Sequence, residues 1–375
     1  MIYLDSAATS LLKPPSVPEA MEFAVKTMAS PGRGGHAPAM AAAETVYDCR
    51  CAAAGLFNVP SPEQVVFTSS ATHGLNIAIR SVLSPGDRAV ISGYEHNSVT
   101  RVLHSIGTHT DVVRSPLFDA DAALEVFAEK IPGADCVICT HVSNVFGFVL
   151  PVSGIARLCR ENGVPLIIDA SQSAGSLDVD FSALGAEYIA MPGHKGLMGP
   201  QGTGVLLCAD GGKPFMCGGT GSESINQDMP EFLPDRLEAG THNVCGIAGL
   251  LEGIRYVSAK TTDAIGEYEI LLKEAAADML GGVPGLEVFS SEKNQAGVLS
   301  VRHEKIDCES ICAALADRGI AVRGGLHCAP TAHETAGTLA TGTVRLSFSP
   351  FTRLRDVEKA CRELEKITAA GKNFN

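Results

Sequence analysis

The sequence has no apolar run approaching the ~20 residues that a membrane-spanning helix needs. Its N-terminus, Met1-Ile2-Tyr3-Leu4-Asp5, has neither a basic n-region nor a long apolar segment, so no secretory signal is expected. A basic excess is also missing. Lys+Arg number 29 against 42 Asp+Glu, a net charge of −13. That is the opposite of the basic footprint that non-specific nucleic-acid binding requires. No Gly-Lys is followed by Ser or Thr, so there is no Walker A loop, and no His-Glu-x-x-His occurs. No Gly-x-Gly-x-x-Gly follows a strand pattern, so a dinucleotide fold lacks its fingerprint. Internal repeats, low-complexity tracts and long charge runs are absent as well. The 12 cysteines lack the dense, regular spacing of a disulfide framework. They imply reduced thiols and a cytoplasmic protein, most of them serving as small core residues. Cys136 and Cys139 form a Cys-x-x-Cys inside an apparent strand, where residues three apart point to opposite faces. Packing is expected there, and likewise for Cys49 and Cys51 in a helical pattern. No metal site is expected.

What is present is a globular chain of 375 residues, 45% hydrophobic and 19% charged, long enough for about two domains. Short apolar runs alternate with helical patterns from about residue 60 to 210. Strands are expected at 64–68, 88–92, 111–114, 135–141, 165–169, 187–191 and 204–208. Helices are expected at 72–82, 98–106, 120–130, 153–162 and 181–184. Several strands are apolar throughout, such as Pro165-Leu166-Ile167-Ile168, as required of strands covered on both faces. The alternation predicts an α/β fold with a mostly parallel sheet. Residues 211–240 read as loop and 244–280 as one long helical region. Strands at 286–289, 298–302 and 344–348, with helices at 308–318 and 354–369, predict a smaller C-terminal α+β domain. The expected division is an N-terminal segment 1–15, a large α/β domain 16–250 and a small domain 251–375. Ligands of open α/β sheets bind outside the carboxyl ends of the strands, and chemistry is sought there.

Three places answer. Asp169 ends a buried strand, where a carboxylate is costly unless paired. It could cap the next element or hold a cationic ligand group such as a protonated pyridine nitrogen. Lys195 follows a strand in the Gly-rich loop Pro192-Gly193-His194-Lys195-Gly196, either as a solvated lysine or as an amine held for covalent work. Ser69-Ser70-Ala71-Thr72-His73-Gly74 joins a strand to a helix, and its free backbone N–H groups suit a phosphate as well as an ordinary cap. Together the three resemble a site for pyridoxal 5′-phosphate (PLP): lysine for the aldehyde, aspartate for the ring nitrogen, helix end for the phosphate.

The chain resembles the class V, fold-type I PLP enzymes, and within them the cysteine desulfurase/selenocysteine lyase group. Eight segments carry the resemblance in the family's order. They include Tyr3-Leu4-Asp5-Ser6-Ala7-Ala8-Thr9, Glu95-His96, Ser143-Asn144-Val145-Phe146-Gly147, Asp169-Ala170-Ser171-Gln172, Gly193-His194-Lys195 and Leu237-Glu238-Ala239-Gly240-Thr241. The last two are Arg323-Gly324-Gly325-Leu326-His327-Cys328-Ala329-Pro330 and Val344-Arg345-Leu346-Ser347. The resemblance implies a fold-type I PLP-dependent transferase with a seven-stranded, mostly parallel sheet in the large domain. It implies that Lys195 binds the cofactor aldehyde, Asp169 its ring nitrogen and Gln172 its ring hydroxyl. His96 would stack on the ring and shuttle protons. Ala71, Thr72 and His194 would meet the phosphate. Thr241 would reach the phosphate of a neighbouring subunit, so a homodimer is implied. Asn144 would lie near the substrate carboxylate and the cofactor ring, Arg345 would clamp that carboxylate as a planar bidentate cation, and His36 is a further substrate-side candidate.

Cys328 carries the subclass. The resemblance makes it the thiol that takes sulfur from L-cysteine, leaving L-alanine and a persulfide, or that handles L-selenocysteine with release of selenium. Adjacent His327 is expected to favour the thiolate, the reactive form. The short Leu-His-Cys-Ala-Pro form is similar to the group whose cysteine loop is short and ordered. An acceptor protein for the sulfur or selenium is a further implied partner; nucleic acid and membrane are not. The sequence departs from the family at Pro192, where Ser is common, at Ala71, where Thr is usual, and at His73, where Glu is usual. Other readings keep the site and change the reaction, to β-elimination from cystine-like substrates or to transamination, or make the chain a sulfur-delivery scaffold.

Overall fold

The computed structural model describes residues 1–32 and 34–370. The chain opens with β1 (Ile2–Tyr3), α1 (Ser16–Thr27) and α2 (Ala37–Leu56). The alternating region follows as β2 (Val65–Thr68), α3 (Ala71–Val82), β3 (Arg88–Ser92), α4 (Asn97–Ile106), β4 (His109–Val113), α5 (Ala120–Lys130) and β5 (Cys136–Thr140). It continues through α6 (Val152–Asn162), β6 (Leu166–Asp169), α7 (Phe181–Leu184), β7 (Tyr188–Pro192) and β8 (Gly204–Cys208). Helices α8 (Val244–Lys260) and α9 (Thr262–Leu280) lead to β9 (Leu286–Phe289), β10 (Val298–His303), α10 (Cys308–Ala316), β11 (Ile320–Ala321) and β12 (Arg323–Gly325). The chain ends with α11 (Pro330–Thr335), β13 (Thr343–Ser347) and α12 (Leu354–Ala370).

Strands β2 to β8 form one seven-stranded sheet in the order β2-β8-β7-β6-β5-β3-β4. The expected parallel pairing holds between β4, β3, β5, β6 and β7, while β8 runs antiparallel to both neighbours. The apolar strands are covered on both faces, as their composition predicts. Cys136 packs in one facial core with Leu75, Ile79 and Leu103, and Cys139 in the opposite core with Phe127, Phe148 and Ile155. The Cys-x-x-Cys is therefore split across the sheet, and all 12 cysteines are unpaired. Among the described residues no cluster of His, Cys, Asp or Glu could hold a metal ion, and no helix is long and apolar enough to cross a membrane.

A second core surrounds a four-stranded antiparallel sheet, β12-β13-β10-β9, with Leu272, Leu299, Ile311, Val344 and Leu364 at its centre. The N-terminal segment belongs to this core: β1 pairs in parallel with β11, and Leu4 is fully buried there. The single long helical region expected over 244–280 is broken. Thr261 takes φ +69° between α8 and α9, and its side chain accepts the Ala264 N–H at 3.3 Å. Two threonines in sequence prefer this cap geometry to helix interior, which apolar periodicity alone does not register. Helix α9 then lies close against the large sheet's loops, because a Cβ at Gly266 would sit 2.1 Å from the Ser176 carbonyl oxygen.

Candidate active site

Strands β2, β3, β5, β6 and β7 all run in one direction, so the segments that follow them gather at one edge of the sheet. A cavity of about 200 Å³ opens there. It is lined by Ala71, Thr72, His96, Asn144, Asp169, Gln172, His194, Lys195 and Arg345, nine of the residues predicted from sequence, and also by Arg323 and His327. The loops after β6 and β7 touch through glycine. A Cβ at Gly175 would lie 2.3 Å from the Gly196 carbonyl oxygen, and one at Gly196 would lie 2.3 Å from that of Ala174. This close approach carries Lys195 to the edge where Asp169 stands.

Asp169 is 2% exposed at the end of β6, and its Oδ1 accepts the Ser171 N–H at 2.9 Å. The Lys195 amine has no ion pair or hydrogen bond among the described residues, and burial lowers it to about 8 in spite of Asp169. A neutral, nucleophilic minority of about a tenth is therefore available at pH 7. Beneath them, Glu95 accepts the Thr140 N–H at 2.6 Å and the Ser92 hydroxyl. Burial pushes this carboxyl up to about 8, so it is mostly neutral at pH 7 and leaves the negative charge near the lysine on Asp169.

His96 is the N-cap of α4. Its Nδ1 accepts the Ser98 N–H at 3.0 Å, with the Ser98 hydroxyl at 2.6 Å. A nitrogen that accepts from a backbone N–H carries no proton, so the proton resides on Nε2. Burial lowers His96 to about 4, with Lys195, Arg323 and Arg101 adding to the effect, and the ring is neutral at pH 7. His194 is also neutral, lowered by burial to about 4, with Nδ1 3.0 Å from Thr9 Oγ1. The Gln172 side-chain amide donates to the Ala7 carbonyl at 3.0 Å. Helix α3 has Ser70 as its cap, and the Ser70 side chain takes the His73 N–H. The backbone N–H groups of Ala71 and Thr72 have no partner among the described residues and lie at the cavity wall.

Arg345 is 1% exposed. It donates to Asp5 at 2.6 Å and to the Asn144 carbonyl at 2.9 Å, while its Nε has no partner. Asp5, quoted above only as part of the N-terminal segment, is thus the arginine's counter-ion.

Cys328 stands outside this cavity in an adjoining groove that shares Thr72, His96 and Ser98 with it. The thiol is exposed. Two successive non-glycine residues, His327 at φ +50° and Cys328 at φ +57°, take the left-handed conformation, a strained arrangement that its surroundings must hold. The Asn144 side chain donates to the His327 carbonyl at 2.8 Å, and the Asn97 N–H donates to that of Cys328 at 2.7 Å. These bonds tie the loop to the large domain at two successive residues. The expected partnership of His327 with the thiol is corrected. His327 turns inward, 2% exposed, with Nε2 at 3.1 Å from Thr343 Oγ1. Burial lowers it to about 2, so it holds no positive charge to offer. The cation at the sulfur is Arg323, whose Nη2 donates to Sγ at 3.6 Å. Sequence reading quoted Arg323 without a role; its position at the start of the cysteine loop was the available signal.

Two predicted residues are placed elsewhere. His36 is exposed at the N-terminal end of α2 and does not line the cavity. Thr241 lines a separate cleft of about 370 Å³ with Ser69, His73, Phe215 and Glu238. Beside that cleft Glu238 is buried in an ion pair with Arg50 and also bonds His242.

Residues 2–360 match the aminotransferase class-V family profile. A probable cysteine desulfurase of Methanothermobacter thermautotrophicus is 31% identical over 392 residues, covering 99% of this chain and 95% of the relative. Another from Pyrococcus abyssi is 30% identical, covering 98% and 94%. Among solved structures, the apo cysteine desulfurase of Thermococcus onnurineus NA1 superposes with a TM-score of 0.91 at 30% identity, covering 98% of this chain and 95% of that one. A cysteine desulfurase of Escherichia coli, in its S-sulfonic acid form, gives 0.86 at 26% identity, covering 98% and 94%. With a match over nearly its whole length, the chain belongs to the aminotransferase class-V family.

Proposed function

We infer that the protein is a PLP-dependent cysteine desulfurase that converts L-cysteine to L-alanine and keeps the sulfur as a persulfide on Cys328. One observation carries the reading: a fixed, exposed thiol stands beside a cavity that holds a desolvated lysine and a buried aspartate. The donor set fits the cofactor. Ala71 and Thr72 offer two free backbone N–H groups at a helix start for the phosphate. Asp169 matches a protonated ring nitrogen, Lys195 an aldehyde, and neutral His96 a ring face. Pro192 and Ala71 bring no hydroxyl, a loss of about 1 kcal/mol each where backbone donors remain. When bound, PLP would supply an electron sink that weakens the bonds at the substrate Cα.

The chain's own groups supply the rest. Arg345 and Asn144 would clamp the substrate carboxylate, and Lys195 would move the Cα proton. The Cys328 thiolate, steadied by Arg323, would attack the substrate sulfur. An S–S bond forms, the Cβ–S bond breaks with its electron pair left on the carbon skeleton, and that skeleton takes up protons to leave as alanine.

The same reading makes the protein a homodimer in the cytoplasm, with Thr241 serving the neighbouring subunit's cavity. Twelve free thiols suit a reducing compartment. The division near 250 into a large and a small domain belongs to it as well. Leu250 and Ile254 pack in the sheet core and Leu272 in the C-terminal core, which favours a boundary after Ile254 over one at 250.

The test is alanine release from L-cysteine and L-selenocysteine by PLP-loaded wild type and Cys328→Ala. Loss of cysteine turnover in the variant, with selenocysteine turnover partly kept, is expected. Equal cysteine rates in both proteins would make Cys328 structural and reopen the reaction.

A further inference from the structure

The groove outside Cys328 is a concavity of about 340 Å³ lined by Thr72, Asn76, His96, Arg101, Ser105 and Cys328, among others. No acidic residue lines it. Its charge is one-sided in a chain of net charge −13. Ten arginines of the described residues are paired with carboxylates. The arginines at this groove are not. Arg101, exposed on α4, has neither an ion pair nor a hydrogen bond among the described residues. Arg80 on α3 bonds only groove residues, Asn76 at 3.4 Å and Ser105 at 2.8 Å. Arg323 reaches the thiol itself. His96, neutral, cancels none of this charge.

We propose that this groove receives a low-molecular-weight thiol carrying a carboxylate, and that this thiol takes the sulfur from Cys328. The proposal rests on the desulfurase reading and names its acceptor. The volume lies at the small-molecule end of binding sites, and the lining side chains are polar except Val102 and Cys328, their carbon atoms giving a surface for a short alkyl chain. The arginines match a carboxylate through planar, forked donors. The chemistry balances without an added oxidant. The acceptor thiolate attacks the outer sulfur of the Cys328 persulfide, forming a new S–S bond. The Cys328 S–S bond breaks, its electron pair returns to Sγ beside Arg323, and the acceptor leaves as a persulfide.

The experiment uses the PLP-loaded protein and Arg101→Glu, each supplied with L-cysteine and either 3-mercaptopropionate or neutral 2-mercaptoethanol. Comparing the ratio of the two kcat/KM values between the proteins cancels the thiols' intrinsic reactivities. Wild type is expected to favour the anionic thiol by a margin that shrinks with added salt. In Arg101→Glu the ratio should fall about five-fold or more, the effect of exchanging attraction for repulsion at a partly exposed ion pair. An unchanged ratio overturns the proposal. A burst of alanine from L-cysteine supplied at one equivalent per active site, with no other thiol, reports the desulfurase step by itself, because excess L-cysteine is itself a carboxylate-bearing thiol. A burst with no preference for the anion sinks only the acceptor assignment, whereas no burst sinks both readings.

Discussion

Arg323 and Arg345 stand directly opposite each other on the antiparallel strands β12 and β13. Opposed residues of such a pair present their side chains on one face, and both guanidinium groups line the cavity. Like charges so placed repel. Asp5 neutralises Arg345, but Arg323 has only the Cys328 sulfur. A sheet built for stability alone would not keep this pair. On the proposed function, one of these cations would face the substrate carboxylate and the other the sulfur of Cys328.

Arg323→Ala is therefore expected to separate stability from function. Relief of the cross-strand repulsion should stabilise the cofactor-free protein by about 0.2–1 kcal/mol, read from urea unfolding. Alkylation of Cys328 by iodoacetamide at pH 7 should slow several-fold, followed by peptide mass spectrometry because Cys217 is exposed as well. A variant that is less stable and equally reactive would contradict both roles given to Arg323.

Lys195 gives a pH prediction with a definite sign. Burial lowers its amine from 10.5 to about 8. Below pH 8 the lysine is charged in the folded and the unfolded chain alike, and the full cost of burying that charge is present. Between pH 8 and 10.5 the folded chain loses its proton first, so stability rises with pH. Lys195→Met removes the buried charge. In the cofactor-free protein it should stabilise by roughly 1–3 kcal/mol at pH 7. The difference between variant and wild type should close as pH rises to 10.5, and a constant difference across that range would show that the lysine is not desolvated.

Much of this site could be read in the sequence because α/β topology turns strand order into place. Asp169, Lys195 and Ala71-Thr72 each follow an apolar strand, and parallel neighbours bring such positions to one edge. The residues that escaped reading act across the chain. Asp5 meets Arg345, 340 residues away, and no local pattern announces that pairing. Adjacent His327 was read as the thiol's partner, whereas two left-handed residues turn its ring into the core. Sequence proximity predicts contact poorly where backbone conformation reverses between neighbours. The break at Thr261 escaped for a similar reason, since apolar periodicity runs on through it.

Five histidines set the acid limit of the fold. Burial lowers His96, His141, His194 and His333 to about 4 and His327 to about 2. Unfolded, each titrates near 6.5. As pH falls from 6.5 toward 4, the unfolded chain takes up protons that the folded chain refuses, and stability is lost. Glu95 and Glu269 work in the opposite sense, because burial raises both to about 8 and the folded chain holds their protons. The net uptake on unfolding near pH 5.5 is then about three protons, or about 4 kcal/mol of stability per pH unit. Urea unfolding at pH 5, 6 and 7 measures the slope, and a flat profile would mean that these rings are not held neutral.

Thr241 supplies the sharpest test of the shared-site dimer. Within one chain it lines a cleft separate from the Lys195 cavity, so in an isolated chain its substitution has no route to the cofactor. If Thr241 serves the neighbouring subunit's phosphate, Thr241→Asp should place a repelling carboxylate there and weaken cofactor binding in the homodimer. Lys195→Ala should be inactive by itself. Unfolded together and refolded as an equal mixture, the two variants form hybrid dimers in half of the population. Each hybrid has one cavity with both an intact Lys195 and an intact Thr241 facing it. The mixture should therefore recover about a quarter of wild-type alanine release, the fraction fixed by random two-fold pairing. Separate refolding followed by mixing under non-exchanging conditions should show no more than the residual activity of Thr241→Asp alone. Equal activity of Thr241→Asp and wild type would place each cavity wholly within one chain.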